Sequence, residues 1–260
     1  MIMDVILVGL LIPFLGTILG SGCVYLLKNE LDSKIERALL AFAGGVMMGA
    51  SVFSLLIPSL QHSEHLGVLS FLPAVVGFMI GMFFLWGLDL IVPHMHAISK
   101  SKEGMKSNLT RSIMMVLAMT LHNIPEGMAV GILFVGVLNG QSILMSEALV
   151  LSLGIAIQNI PEGAIVSLPL KKEGLSKNKA FFWGMISGLA ELLACVFTIF
   201  VTQNIDGAMP YLLSFAAGAM VYVIVEELVP EANNGEHSNL MSIIFGIGFM
   251  TIVILKSVLG

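Results

Sequence analysis

Two stretches of this 260-residue chain place groups that can hold a cation deep inside apolar surroundings. Leu121-His122-Asn123-Ile124-Pro125-Glu126-Gly127 is echoed by Ile157-Gln158-Asn159-Ile160-Pro161-Glu162-Gly163, each in the middle of a long apolar run. Polar and ionisable groups at such a depth are expensive and call for a compensating partner. On a helix, positions i and i+4 share a face, so His122 stacks with Glu126 and Gln158 with Glu162, while Asn123 and Asn159 lie about 100° round. The product is a set of inward-pointing nitrogen and oxygen ligands. A proline cannot donate to the carbonyl four residues back, so Pro125 frees the carbonyl of Leu121 and Pro161 that of Ile157, and both helices are expected to bend around one site. No Lys or Arg lies in either helix core. A divalent cation would supply the missing positive charge, Glu126 and Glu162 offsetting one ion. The plainer account, proline and glycine kinking two packed helices with His122 as an interhelical hydrogen bonder, covers Pro125, Pro161, Gly127 and Gly163. It leaves two glutamates in hydrocarbon unexplained.

A third carboxylate belongs to the same depth. Glu191, in Gly188-Leu189-Ala190-Glu191-Leu192-Leu193, is otherwise flanked by apolar residues and falls near the centre of its own run. It is a candidate ligand that partly offsets a second ion; the alternative is a protonated glutamate hydrogen-bonded between helices.

The elements that must hold these groups are membrane helices. The chain is 57% hydrophobic and 11% charged, against the usual quarter charged for a soluble domain. Apolar runs long enough to cross ~30 Å of hydrocarbon fall at residues 4–27, 38–60, 68–93, 110–137, 143–170, 179–202, 209–231 and 239–259. The expected fold is an all-α polytopic membrane protein of eight transmembrane helices, a single transmembrane domain over residues 1–260. Cys23 and Cys195 sit inside apolar runs and read as small buried residues rather than as a disulfide.

Lys and Arg concentrate in the loops after helices 1, 3 and 5: Lys28, Lys34 and Arg37; Lys100, Lys102, Lys106 and Arg111; Lys171, Lys172, Lys177 and Lys179. Loops 2/3, 4/5 and 6/7 carry none, which places the basic loops in the cytoplasm and both termini outside. Phe42-Ala43-Gly44-Gly45-Val46-Met47 opens helix 2 and Phe215-Ala216-Ala217-Gly218-Ala219-Met220 opens helix 7, two helices of opposite direction. Similar sequences running oppositely suggest an inverted repeat in a 3+2+3 arrangement, with helices 4 and 5 as the central pair and the binding site near the midplane.

Weaker signals mark the two ends. Outside, Gln61-His62-Ser63-Glu64-His65 could collect cations or be an ordinary solvated loop. Inside, Asp89, His94 and His96 at the end of helix 3 converge with Glu226, Glu227 and Glu231 at the end of helix 7; with His237 they are a candidate exit path or else ordinary interfacial acids and snorkelling side chains.

At His122 to Gly127 and Gln158 to Gly163 the chain resembles the Zrt/Irt-like (ZIP) family of divalent metal transporters, over nearly its whole length. The Gln-Asn form of the second motif, the Phe-Ala-Ala-Gly-Ala-Met start of helix 7 and its Glu-Glu-Leu-Val-Pro-Glu end are similar to the GufA-like branch. The resemblance implies import of Zn(II), and of ions such as Cd(II), Fe(II), Mn(II) and Co(II), through a binuclear site by alternating access. It implies that His122, Glu126, Gln158 and Glu162 hold one ion and Asn123, Glu126, Asn159, Glu162 and Glu191 the other. Rocking of helices 1, 4, 5 and 6 against 2, 3, 7 and 8, and a homodimer, are implied as well. The expected partners are divalent ions and the lipid bilayer of a bacterial-type plasma membrane, not nucleic acid, and the metal is substrate rather than cofactor. Carboxamides at Gln158 and Asn159, where related chains carry His or Asp, are expected to loosen selectivity for zinc. An intramembrane metalloprotease would need more than one midplane imidazole, and a cation-diffusion exporter would bring paired His and Asp ligands with a cytoplasmic domain.

Overall fold

Apolar periodicity becomes eight long helices in the computed structural model, which describes residues 2–27, 31–95, 102–140, 143–203, 205, 207–234 and 239–260. Each is long and apolar enough to cross a membrane: α1 (Asp4–Leu26), α2 (Ser33–His62), α3 (Phe71–Ile91), α4 (Ile113–Leu138), α5 (Met145–Lys172), α6 (Lys177–Thr202), α7 (Met209–Ala232) and α8 (Asn239–Leu259). The helices that start on the Lys-rich face are capped by residues that can bond the first free amides. Asp32 accepts from the Lys34 amide at 2.8 Å, Thr110 from Ile113 at 3.4 Å and Ser176 from Lys179 at 3.4 Å. Helix α2 begins five residues before the expected 38, since its first turn is polar, with Lys34, Glu36 and Arg37, and hydropathy marks only the apolar part of a helix. Helix α3 is shorter than the expected 68–93, because Glu64–Leu69 forms a separate tight turn with Gly67 at φ 58°.

Four close pairs build the bundle: α1 with α5, α4 with α6, α2 with α8 and α3 with α7. Glycines set their closeness. A Cβ on Gly45 would meet the Phe245 carbonyl oxygen at 1.9 Å and one on Gly248 that of Phe42 at 2.2 Å; one on Gly218 would meet Phe78 O at 2.0 Å and one on Gly81 Phe215 O at 2.0 Å. Exchanging α1 with α6, α2 with α7, α3 with α8 and α4 with α5 maps each of the four pairs onto another. Under that exchange Phe42 corresponds to Phe215 and Gly45 to Gly218, the residues that make the equivalent contacts. A π-helical segment interrupts α2 at Ser51–Leu56 and α7 at Ile224–Leu228, each beginning nine residues after the corresponding phenylalanine.

The core lies between α4, α5, α2 and α7, with Met47, Leu133, Phe134, Leu151, Ile155 and Met220 fully buried. Helices α3, α6 and α8 turn large apolar side chains outward, among them Trp86, Phe197 and Ile247. The loop between α3 and α4 contains the two strands found among the described residues, β1 (His94–Met95) and β2 (Lys102–Glu103), antiparallel with His94 opposite Glu103. His96 and His237 lie outside the described residues.

Candidate metal site

Both motifs sit near the middle of unbroken helices, with Pro125 inside α4 and Pro161 inside α5. The glycines that end the motifs bring in the neighbours. A Cβ on Gly127 would meet the Glu191 carbonyl at 2.0 Å, and one on Gly163 the Thr17 carbonyl at 2.4 Å, so α6 lies directly on α4 and α1 on α5. Without a side chain at Gly127, Glu191 reaches the same layer as Glu126.

His122, Asn123, Glu126, Gln158, Asn159, Glu162 and Glu191 are each at most 2% exposed. All seven residues singled out from the sequence are thus buried where α1, α4, α5 and α6 pack together. Gln158 Nε2 donates a hydrogen bond to Glu126 Oε1. Asn159 Nδ2 donates to Glu191 Oε2 at 2.7 Å and to the Pro13 carbonyl at 3.2 Å, and Asn123 Nδ2 donates to the Ser187 carbonyl at 2.7 Å. Six oxygens there accept no hydrogen bond: Glu126 Oε2, Gln158 Oε1, Asn159 Oδ1, both carboxylate oxygens of Glu162 and Glu191 Oε1. Buried acceptors are almost always satisfied, and three glutamates buried close together are costlier still. A group of oxygen acceptors with one imidazole has the donor chemistry for borderline to hard divalent cations.

The two carboxamides reach Glu126 and Glu191 through their nitrogens in this arrangement. To serve as ligands they must present their oxygens instead, and a carboxamide does so by turning over about its terminal torsion. The tightest set of possible ligand atoms lies elsewhere. Among the described residues, Asp89, His94 and Glu103 are the one group of three whose ligand atoms all fall within 4.8 Å of one another. His94 Nε2 stands 3.2 Å from Asp89 Oδ1, its Nδ1 donates to the Val92 carbonyl at 2.8 Å, and the Tyr222 hydroxyl donates to Asp89 Oδ2 at 3.1 Å. Burial favours the neutral His94 ring, but the hydrogen bonds to Asp89 and Val92 and the charge of Asp89 outweigh it and raise its pKa above the ordinary value.

Glu227 links the two groups. Its Oε2 accepts a hydrogen bond from His122 Nε2, and its charge also acts on His94. Of the three acids Glu226, Glu227 and Glu231 expected at the end of α7, Glu227 is the one bonded to His122. Consecutive residues point about 100° apart, so only one of the neighbours Glu226 and Glu227 can face His122, and Glu226 is exposed. Glu231 is buried where the last turn of α7 packs on the beginning of α2. Glu103 was missed altogether. It arrives by a two-residue strand pairing in a Lys-rich loop, a feature with no sequence signal of its own. Toward the face that carries the termini the site is covered by buried apolar residues of α4, Val130, Leu133 and Phe134. His65 on the 2/3 loop is exposed, with its Nδ1 on the His62 carbonyl at 3.1 Å.

Comparisons with known proteins give the family. Residues 93–255 match the family model described as ZIP Zinc transporter. The chain is 32% identical over 321 residues to "Zinc transporter ZIP11" of Bos taurus, covering 94% of this chain and 94% of that protein. It is 33% identical over 249 residues to "Zinc transporter GufA" of Myxococcus xanthus, covering 94% and 96%. With "Zinc transporter ZIPB" of Bordetella bronchiseptica the identity is 31% over 250 residues, covering 95% of this chain and 79% of that protein.

Proposed function

The chain belongs to the ZIP family of zinc transporters, and on that premise we propose that it carries Zn(II), together with Cd(II), Fe(II), Mn(II) or Co(II), into the cytoplasm through a midplane two-metal site. It is a transporter and not an enzyme, so the metalloprotease alternative falls. The observation that carries the reading is the set of buried oxygens of Glu126, Gln158, Asn159, Glu162 and Glu191 that accept no hydrogen bond. Bound ions would replace the missing donors and offset the carboxylates.

The first ion is assigned to His122, Glu126, Gln158 and Glu162, and the second to Asn123, Glu126, Asn159, Glu162 and Glu191, with the two shared glutamates bridging. On leaving, the first ion would exchange Glu162 for Glu227 as His122 releases that carboxylate, and then pass to Asp89, His94 and Glu103. These groups form a graded series of oxygen and imidazole ligands from the midplane to the Lys-rich face, which the excess of Lys and Arg assigns to the cytoplasm, leaving both termini outside.

Two observations support alternating access on a 3+2+3 scaffold. The helix pairs interchange under the exchange of helices 1, 2 and 3 with 6, 7 and 8. The glycine-to-carbonyl contacts join α1 to α5 and α4 to α6, or α2 to α8 and α3 to α7, within the two groups that would rock and not across them. Uptake of radioactive zinc into right-side-out and inside-out vesicles tests direction: accumulation should follow zinc supplied to the face that carries the termini. Preferred loading from the Lys-rich face would favour an exporter and contradict the proposal.

A further inference from the structure

Helix α1 supplies none of the ligands assigned above, yet it carries two buried hydroxyls, Thr17 Oγ1 and Ser21 Oγ, that make no hydrogen bond. A helical Thr or Ser ordinarily satisfies its hydroxyl on the carbonyl four residues back. Thr120, Thr202 and Ser51 do so in this protein, at 2.8, 2.7 and 2.8 Å. For Thr17 that carbonyl belongs to Pro13, and it accepts from the Asn159 amide. Thr17 is only 2% exposed.

Its position explains what the hydroxyl is near. The Thr17 carbonyl presses on Gly163, the residue after Glu162, and its side chain fills the space beside Gly188, one turn before Glu191, where a Cβ would meet Oγ1 at 2.7 Å. Thr17 is therefore wedged between the α5 and α6 segments that carry Glu162 and Glu191. Two contacts independently make it the counterpart of Glu191 under the helix exchange. Gly127 lies on the Glu191 carbonyl as Gly163 lies on that of Thr17. Asn123 donates to Ser187, four residues before Glu191, as Asn159 donates to Pro13, four residues before Thr17.

We propose that Thr17 Oγ1 is a further oxygen ligand of the second metal ion. The inference rests on the two-metal reading and adds a residue to it. A hydroxyl brings an oxygen without a charge, so it alters coordination number rather than charge balance. With Asn123, Glu126, Asn159, Glu162 and Glu191 it gives six oxygen donors, a set suited to octahedral ions such as Mn(II) more than to tetrahedral Zn(II). Thr17 thereby shapes which ions the second position accepts.

The test is equilibrium binding of Mn(II) and of Zn(II) to the full chain in lipid nanodiscs, comparing wild type with Thr17→Val and Thr17→Ser. Val keeps the shape and removes the hydroxyl; Ser keeps the hydroxyl and removes the methyl. Thr17→Val should weaken one of two Mn(II) equivalents by on the order of tenfold, as expected for losing one oxygen that faces a charge, with a smaller change for Zn(II) and the other equivalent unaltered. Thr17→Ser should bind like wild type. Unchanged Mn(II) binding in Thr17→Val, or a loss in Thr17→Ser as large as in Thr17→Val, would overturn the assignment. A wild type that binds a single ion would instead bring down the two-metal reading, and that result is visible before any variant is made.

Discussion

Replacing Gly127 by Ala adds one methyl group where α4 lies against α6, and the consequence can be worked out from the contact. The new Cβ would stand 2.0 Å from the Glu191 carbonyl oxygen and 3.1 Å from the Ala194 Cβ. A carbon and a carbonyl oxygen approach no closer than roughly 3.3 Å, so the helices must part by about 1 Å. Backbone cannot swing aside as a flexible side chain would. Overpacking of this kind costs about 1–3 kcal/mol, and a displacement of ~1 Å at a site of fixed geometry can cost as much as 100-fold in rate. Glu191 moves with its own carbonyl, away from Glu126 and Asn159. Gly246→Ala is the matched control, since nothing lies within 4 Å of its added Cβ. Thermal unfolding in one detergent and zinc uptake in liposomes should show Gly127→Ala both less stable and slower, with Gly246→Ala unaffected. If the two variants behave alike in both assays, the close α4–α6 contact does not position Glu191.

Protons should compete with metal at the midplane, because coordination needs a neutral His122 and ionised glutamates; apparent affinity should fall as external pH drops from about 7 to 5, across the ordinary imidazole value of ~6.5, and flat affinity in pH-stepped uptake would speak against His122 as a ligand. Gln158→His adds a second imidazole to the first position and should shift competition uptake toward Zn(II) against Mn(II); an unchanged ratio would place selectivity outside these ligands. Glu191→Gln should reduce binding at one of two metal equivalents and slow transport, so loss of both equivalents in a stoichiometry measurement would contradict its assignment to the second ion alone.

The six motif residues His122, Asn123, Glu126, Gln158, Asn159 and Glu162 were legible as candidates because the chain writes the motif twice, and because i to i+4 spacing on a helix needs no tertiary information to set a face. Glu191 was legible for a different reason: a single carboxylate in an apolar run has few explanations. What the sequence did not disclose depends on rotation and pairing between elements. Glu227 touches His122 while Glu226 is exposed, and adjacent glutamates in a helix interrupted by π-helical turns give no advance sign of which one faces inward. Glu103 reaches Asp89 and His94 through one short strand pairing in a loop that reads as solvated. The early start of α2 at Ser33 was hidden for the opposite reason, a polar first turn that hydropathy does not count as helix. Thr17 drew no notice because threonine in an apolar helix is ordinary; only its missing hydrogen bond and its contacts with Gly163 and Gly188 distinguish it.

In the proposed mechanism transport depends most directly on Glu126 and Glu162, whose charges would make a divalent ion tolerable at the midplane. The decisive measurement is zinc uptake by liposomes holding equal amounts of folded wild type, Glu126→Ala or Glu162→Ala. Either substitution should reduce uptake to the level of empty liposomes, because the ion entering hydrocarbon is left uncompensated. Near-normal uptake by a folded Glu126→Ala or Glu162→Ala protein would mean that the metal crosses somewhere other than between α4 and α5.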